Sequence, residues 1–524
     1  MTRWVDFVIA HRKRVLAAWL ALFLLGGVAA SNLGGLLSNR FSVPGAESER
    51  GLNLLKQRMG ERSDGAFTLV ATGVGTRAER AAVQSAAGRA ARAVRGGKAG
   101  PLLTAGRGVV YAQIATPLEN QDASELTPRL RRVIAHPAGV TTYLSGYPAI
   151  NFDTQKIFSQ DLGRGEAIAV PIALIVLAFM FGTAGGIAVP LVFAAITIPT
   201  TLGLVWIFAH VMDMAIYVTN IVALIGFAIA VDYSMLVVFR FREELAHEDD
   251  VPTALRTTMM TAGRATLFSG LTVAVGLALL VFMPLPFMRS MGVGGLLVPL
   301  ISIAASATLL PALLSLMGQR VNRWRIVPRR VLERRAATDT TGFWHRLATS
   351  IMRRPVLFFC AAGGLMLALA VPAFGLHVTG GDNRGVPLTT ESTQGLHVLE
   401  TTLGPGALAP HQIVVDTHRP GGASGPAVVA AQRRLVAALR RDREIEPGTI
   451  AAPAFVPLTQ ARQANLVDGD GRVLQVRAAG HSDAGTNAAM DLVRRIRDRY
   501  IPAARFPSSS EVLLSGAPAF GVDF

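Results

Sequence analysis

Apolar residues fall into seven runs separated by two long polar stretches and several short ones. The runs cover residues 15–37, 168–181, 187–208, 216–239, 265–283, 291–316 and 355–376. A bilayer core of about 30 Å needs about 20 apolar residues in a helix, so each run is read as a span. The second run is short on its own and is expected to begin nearer Gly165. Pro171, Pro190, Pro199 and Pro311 lie in or near these runs, which membrane helices tolerate when neighbours satisfy the freed carbonyls. Gly226, Gly270, Gly276, Gly292, Gly294 and Gly295 would let helices approach closely. The pattern predicts residues 1–37 as a tail and first span, a five-helix unit over 164–318 and a seventh span over 355–376.

The two long polar stretches, 38–163 and 377–524, alternate differently. The first has β-like runs at 67–72, 108–114 and 140–144 and a helical stretch at 78–94. The second has a strand candidate at 412–415 and a helix candidate at 424–440. Both are expected to be α+β domains, and they read as copies. VPGAESERGLNLL from Val43 matches VPLTTESTQGLHVL from Val386, and LSGYPAINFD from Leu144 matches LSGAPAFGVD from Leu514. The second copy is longer by roughly 26 residues between its motifs (48 to 153 against 392 to 523). In the first copy five spans follow the closing motif. The repeat therefore leads to the expectation of five further spans after the second, with this chain an incomplete half and the second domain itself open to being incomplete.

Composition supports a membrane assignment and locates its sides. The chain has 524 residues and is 51% hydrophobic, with mean hydropathy +0.41. A formal charge of +16 suggests nucleic acid at first sight. Its position argues against that, because arginines gather beside apolar runs on one side of the expected membrane. The loop after the fourth run holds Arg240, Arg242, Arg256 and Arg264, and the linker over 319–354 is richer still. Trp324, Phe343 and Trp344 are candidate interfacial anchors of that linker on an anionic leaflet. His11-Arg12-Lys13-Arg14 precedes the first run, which is long enough for a retained anchor. The expected topology is a multi-pass protein of the inner (cytoplasmic) membrane, with a cytoplasmic N-terminus and both polar domains outside. Cys360 is the only cysteine, so no internal disulfide forms.

The candidate chemistry centres on Asp232 and Tyr233, in IYVTNIVALIGFAIAVDYSMLVVFRFREEL from Ile216. At about 1.5 Å per residue, Asp232 lies roughly 12 Å inside the charged end at Arg240. A carboxylate at that depth seldom faces lipid, so it is expected to point into a bundle or a wet cavity. There it binds and releases a proton as its surroundings alternate, with Tyr233 orienting it and Ser269 or Thr272 as relay support. The plainer alternative is a structural acid. Asp153, Asp161, Arg164 and Glu166 could couple the first outer domain to the membrane, or simply be a solvated border. The Arg240–Glu244 run reads as topological. His210 and Asp213 are two ligands at most and do not make a metal site. No phosphate loop and no Ser-His-Asp or Cys-His arrangement stands out, so no enzyme, cofactor or metal is expected.

The motifs VPGAESERG, GFAIAVDYSMLVVFRFREEL, TAGRATLFSGLTVAVGLALLVFMPLPFMRSMGVGG and ATLLPALLSLMG together resemble the MMPL family of the resistance-nodulation-division (RND) superfamily. The resemblance implies a multi-span α-helical fold with α+β extracytoplasmic porter-like domains, of RND type and truncated before a second five-helix set. It implies proton-driven export of lipids or other hydrophobic compounds, with protons as coupling ion and Asp232-Tyr233 as the relay. The region from about 165 to 318 also resembles a sterol-sensing-type five-helix unit. Expected partners are membrane lipids, a hydrophobic substrate, the remaining half and a homo-oligomer, with no nucleic acid. Two readings stand beside export: a lipid-sensing receptor and a non-transporting scaffold for envelope assembly.

Overall fold

A computed structural model describes residues 2–38, 43–60, 65–134, 139–248, 250–323, 342–375 and 387–524. It divides the chain into two compact units, one of residues 1–42 with 163–376 and one of 43–162 with 377–524.

The first unit is helical. Seven helices are long and apolar enough to cross a membrane: Arg12–Ser31, Tyr147–Phe181, Ala184–Ala209, Val218–His247, Val251–Val281, Pro286–Asn322 and Pro355–Gly375. These carry the first to seventh spans below, and the helix Tyr147–Phe181 begins in the second unit, whose first segment ends at residue 162. Several run past the apolar windows that announce them. Helix propagation continues into polar flanks once a turn exists, and a cap then stops it. Asp250, for instance, accepts the Thr253 N–H at 3.1 Å and starts the fifth span well before its apolar part.

Phe181, Phe193, Phe241, Leu255, Met259, Leu309 and Leu314 lie in its largest buried cluster. Polar bonds pin the first span to the sixth: Trp19 donates to the Thr308 hydroxyl at 3.0 Å and Arg12 to the Ser315 hydroxyl at 3.0 Å. A short helix before the first span, Thr2–Ala10, is held by a Trp4 donation to the Ala307 carbonyl at 3.0 Å. Among the described residues of the seventh span's helix, Pro355–Ala370, none is buried. Trp324 and most of the basic linker lie outside the described residues; Phe343–Arg353 forms a helix just before the seventh span.

The second unit contains two antiparallel sheets with one plan. In the first, Phe67–Thr72 lies between Val109–Ala115 and Thr141–Ser145. In the second, His411–Asp416 lies between Val473–Ala478 and Glu511–Ser515. The helices Arg77–Arg92 and Pro426–Leu439 occupy equivalent places after the central strands. The repeat seen in the motifs is therefore a repeat of topology. The first sheet adds two short strands, Lys98–Ala99 and Leu103–Gly106, on Val109–Ala115.

The leading helix of each copy does not pack on its own sheet. Glu47–Met59, from the first copy, lies on the second copy's strand Glu511–Ser515, and Leu55 is buried with Val414 and Val473. Glu391–Leu403, from the second copy, lies on the first copy's strand Thr141–Ser145. The two stretches read from sequence as separate domains thus make one unit by exchanging helices. Glycine makes the crossings close. A Cβ on Gly51 would lie 2.9 Å from Ser515 Cβ, and one on Gly395 would lie 2.8 Å from Tyr143 Cβ.

Candidate functional site

The fourth span turns its small and branched residues inward: Val222, Gly226, Ile229, Ala230, Ser234, Val237 and Val238 are buried. Tyr233 belongs to this face and is 6% exposed. Asp232, one residue earlier, sits about 100° around the helix and belongs to another face. It is exposed, in a stripe with Leu224, Ala228 and Leu236 at four-residue spacing. Of the two expected surroundings, a bundle or a wet cavity, the bundle formed by this chain's own helices is not the one it faces. The inward face is already filled by Tyr233 and its neighbours, and an acid there would need a partner. Among the described residues no cation pairs with Asp232.

Tyr233 does not orient Asp232 by a hydrogen bond. Its hydroxyl is buried without a well-formed hydrogen bond and interacts with Ser269 of the fifth span. Gly270 keeps that approach open: a Cβ there would lie 3.2 Å from the Tyr233 hydroxyl and 2.6 Å from Ile303 Cγ1. Ser269 is thus brought to the tyrosine. Thr272 is not, and donates to the Phe268 carbonyl of its own helix at 2.9 Å.

The charged end of the fourth span does more than mark topology. Arg240 pairs with Glu243 at 2.6 Å and with Glu244. Arg242 donates to the Phe181 carbonyl and to Asn322 Oδ1, both at 2.7 Å, and so caps the second span and holds the end of the sixth. Arg256 pairs with Asp6 at 2.5 Å. The Arg240 pairs follow helix spacing, whereas the partners of Arg242 and Arg256 are distant along the chain and nothing in sequence spacing reveals them. His210 lies against the Trp206 carbonyl at 2.9 Å, and no metal cluster forms with Asp213 among the described residues.

In the second unit the matched motifs meet as two equivalent latches. Arg131 donates to both Asp153 oxygens at 2.9 and 2.7 Å and lies 2.8 Å from Glu391 Oε2. Ser392 donates to Asp153 at 2.6 Å, and Glu391 Oε1 accepts the Leu144 N–H at 2.7 Å. The twin is Arg497, which donates to Asp523 at 2.7 and 3.1 Å and lies 2.9 Å from Glu47. Asp523 accepts the Ser48 N–H at 3.0 Å, and Glu47 accepts the Leu514 N–H at 2.6 Å. Burial alone would raise Asp153, but Arg131 and Ser392 outweigh it and hold the carboxyl below its ordinary range. Asp523 is held low in the same way by Arg497 and Ser48.

Asp153 therefore belongs to a latch, neither to a solvated border nor to a cluster with the other border candidates. Asp161 and Arg164 are exposed on the helix Tyr147–Phe181, and the Glu166 side chain lies outside the described set. The signal for the latches was present in the sequence, since each motif carries one half of each pair. Only the partner arginines, which lie outside the motifs, were invisible.

Residues 41–358, more than half of the chain, match the family model described as the MMPL family. The chain belongs to the MMPL family. A relative is the mycolic acid-containing lipids exporter MmpL11 of Mycolicibacterium smegmatis, 32% identical over 60% of this chain and 32% of that protein. Another is the trehalose monomycolate exporter MmpL3 of Mycobacterium tuberculosis, 28% identical over 59% of this chain and 36% of that one. The matches thus span about a third of these relatives' own length. The cryo-EM structure of the hedgehog release protein Disp from the water bear Hypsibius dujardini covers 100% of this chain and 80% of its own. Its TM-score is 0.55 at 12% identity, which shows a shared fold. This MMPL member is a multi-pass membrane protein of RND-type architecture, in a family of transporters that includes lipid exporters.

Proposed function

We propose that this MMPL chain carries the proton-coupling span and the outer domains of a lipid exporter in the cytoplasmic membrane. The observation that carries the reading is the placement of Asp232 in the exposed stripe of an otherwise apolar span. A charge at the centre of a membrane helix costs about 2.5–3.5 kcal/mol on insertion scales. It is retained where it faces a wet path or the helices of a covering partner. The five further spans that the repeat leads one to expect are one such partner, and a second copy is another. A carboxylate between two packed surfaces ionises when wetted and protonates when dried, which is what coupling to a proton gradient requires. Tyr233 and Ser269 then act from the inner side, positioning the span rather than bonding the acid.

The lipid cargo is proposed from the two exporters described above, whose names state lipid export. No group in this reading acts as a catalyst or holds a cofactor. Proteoliposomes containing the whole transporter and a fluorescent glycolipid test it. An imposed pH gradient should drive lipid movement, and Asp232→Asn should remove the gradient dependence while thermal unfolding stays unchanged. Normal gradient-driven flux in Asp232→Asn would reject the coupling role. Saturable lipid binding with no flux would favour the sensing alternative.

A further inference from the structure

The two copies of the outer unit differ most after the helix that follows the central strand. The first copy returns to its sheet over residues 93–108, and the second takes 440–472, about twice the chain. The added segment opens with Arg440-Arg441-Asp442-Arg443-Glu444 and helps line an open groove of about 480 Å³. Arg441, Asp442, Arg443, Glu444, Asp491, Arg495 and Tyr500 line it, with Ala488 leaving room at one wall.

Its floor is cross-linked by ion pairs, and Glu444 is the lining carboxylate without a cation partner among the described residues. Asp442 accepts Arg495 at 2.8 and 3.0 Å, the Tyr500 hydroxyl at 2.6 Å and the Glu444 N–H at 2.9 Å. Four donors leave that carboxylate no capacity for a ligand, and they hold its pKa at about 2 against the opposing push of burial. Behind it His411 is buried, its pKa lowered to about 4 chiefly by burial, so it adds no charge at neutral pH. Asp491 is matched by Arg494 at 2.8 Å, and Glu444 accepts the Ser482 N–H at 2.7 Å. Arg441 and Arg443 remain: both are exposed at the rim, with no carboxylate partner among the described residues. Arg440, between them and the helix, lies 5.5 Å over the Phe455 ring.

Two unpaired guanidiniums against one unmatched carboxylate, Glu444, leave the rim net positive and suit a compact anion with several acceptor oxygens. A guanidinium fork fits phosphate oxygens pairwise, and two forks suit a phosphate better than a single carboxylate. The volume accommodates a phosphate with a glycerol or sugar attached. The geometry points to a phosphate-ester binding site in this groove, with Arg441 and Arg443 gripping the phosphate and Tyr500 flanking the attached polyol. The phosphate could come from a soluble ester or from a lipid headgroup. The site is independent of the coupling role of Asp232, and either can fail alone.

The test uses the full chain in phosphatidylcholine nanodiscs. One arm titrates glycerol 3-phosphate, and the other measures co-flotation with phosphatidylglycerol vesicles against phosphatidylcholine vesicles. Saturable binding is expected in at least one arm. The first arm assigns a soluble source, and the second alone assigns a headgroup. Arg441→Gln with Arg443→Gln should weaken that binding at least about tenfold, a loss of about 1.4 kcal/mol. Arg433→Gln, which removes an exposed arginine of the preceding helix, should leave it unchanged. Absence of binding in both arms, equal binding by the double variant, or an equal loss in Arg433→Gln would overturn the proposal.

Discussion

The helix exchange in the outer unit can be broken one latch at a time, which makes it the most exacting test of the structure. Replacing Arg131 by Gln leaves Asp153, whose side chain is 7% exposed, and Glu391, 33% exposed, without their shared cation. Removing one member of a buried pair costs about 3–5 kcal/mol. Arg131 is itself 23% exposed, so water recovers part of that, and about 2–3 kcal/mol is the expected loss. The cost falls locally, on the docking of Glu391–Leu403 against Thr141–Ser145. Hydrogen exchange reads it directly through the Leu144 amide, which donates to Glu391. A loss of that size speeds exchange there by roughly 30- to 150-fold when opening is local. Leu514, which donates to Glu47 in the twin latch, should not change, and Arg497→Gln should reverse the pattern. The pH dependence has a definite sign. Asp153 is held low in the folded state, so its contribution is present above the unfolded value of about 3.9 and disappears as pH falls through the folded one. Protection at Leu144 should therefore be level from pH 7 to about 5 and fall below about pH 4. Equal effects on both amides, or none on either, would refute reciprocal docking.

Two further outcomes follow from packing and placement. Gly395→Val puts its Cβ 2.8 Å from Tyr143 Cβ, and Gly51→Val 2.9 Å from Ser515 Cβ. Each should cost about 1–3 kcal/mol and lower the unfolding temperature in a thermal scan, and an unchanged midpoint would contradict the close crossing. Cys360, exposed on the apolar helix Pro355–Ala370, should resist a polar maleimide in intact vesicles and react fully once detergent-denatured. Rapid labelling before denaturation would remove that helix from the bilayer.

Much of this fold was legible because membrane helices and short strands follow simple periods. Strand 67–72 is found at Phe67–Thr72, and 140–144 shifts by one residue to Thr141–Ser145. Helix ends were less legible. The second span, expected near 165, is part of a helix starting at Tyr147, because its polar first half carries no apolar signature. The strands Val473–Ala478 and Glu511–Ser515 were missed, since long loops rich in Gly, Pro and Arg hide short apolar runs. Helix exchange was not legible at all. Both leading helices are visible as motifs, but the sheet on which an amphipathic face lies is a long-range choice that local pattern does not encode. At the candidate site, the sequence suggests a Tyr233 hydrogen bond to Asp232, and the structure sets the Tyr233 hydroxyl beside Ser269 instead.

That difference has a physical source with a functional consequence. Adjacency in sequence suggests one site, yet consecutive helix residues point about 100° apart, and here the two side chains meet different surroundings. Tyr233 is committed to the five-helix core beside Ser269, and Asp232 to the opposite surroundings. An acid on a lipid-sized apolar stripe is tolerable only if something polar or proteinaceous meets it there. In the proposed reading the acid answers to what approaches from outside this helix set, while Tyr233 packs within the set. A single methyl on Gly270 would press on both Ile303 and Tyr233 and so disturb the packing of the span that carries the acid. In the proposed coupling, the fourth span acts through two differently engaged faces rather than through a hydrogen-bonded pair.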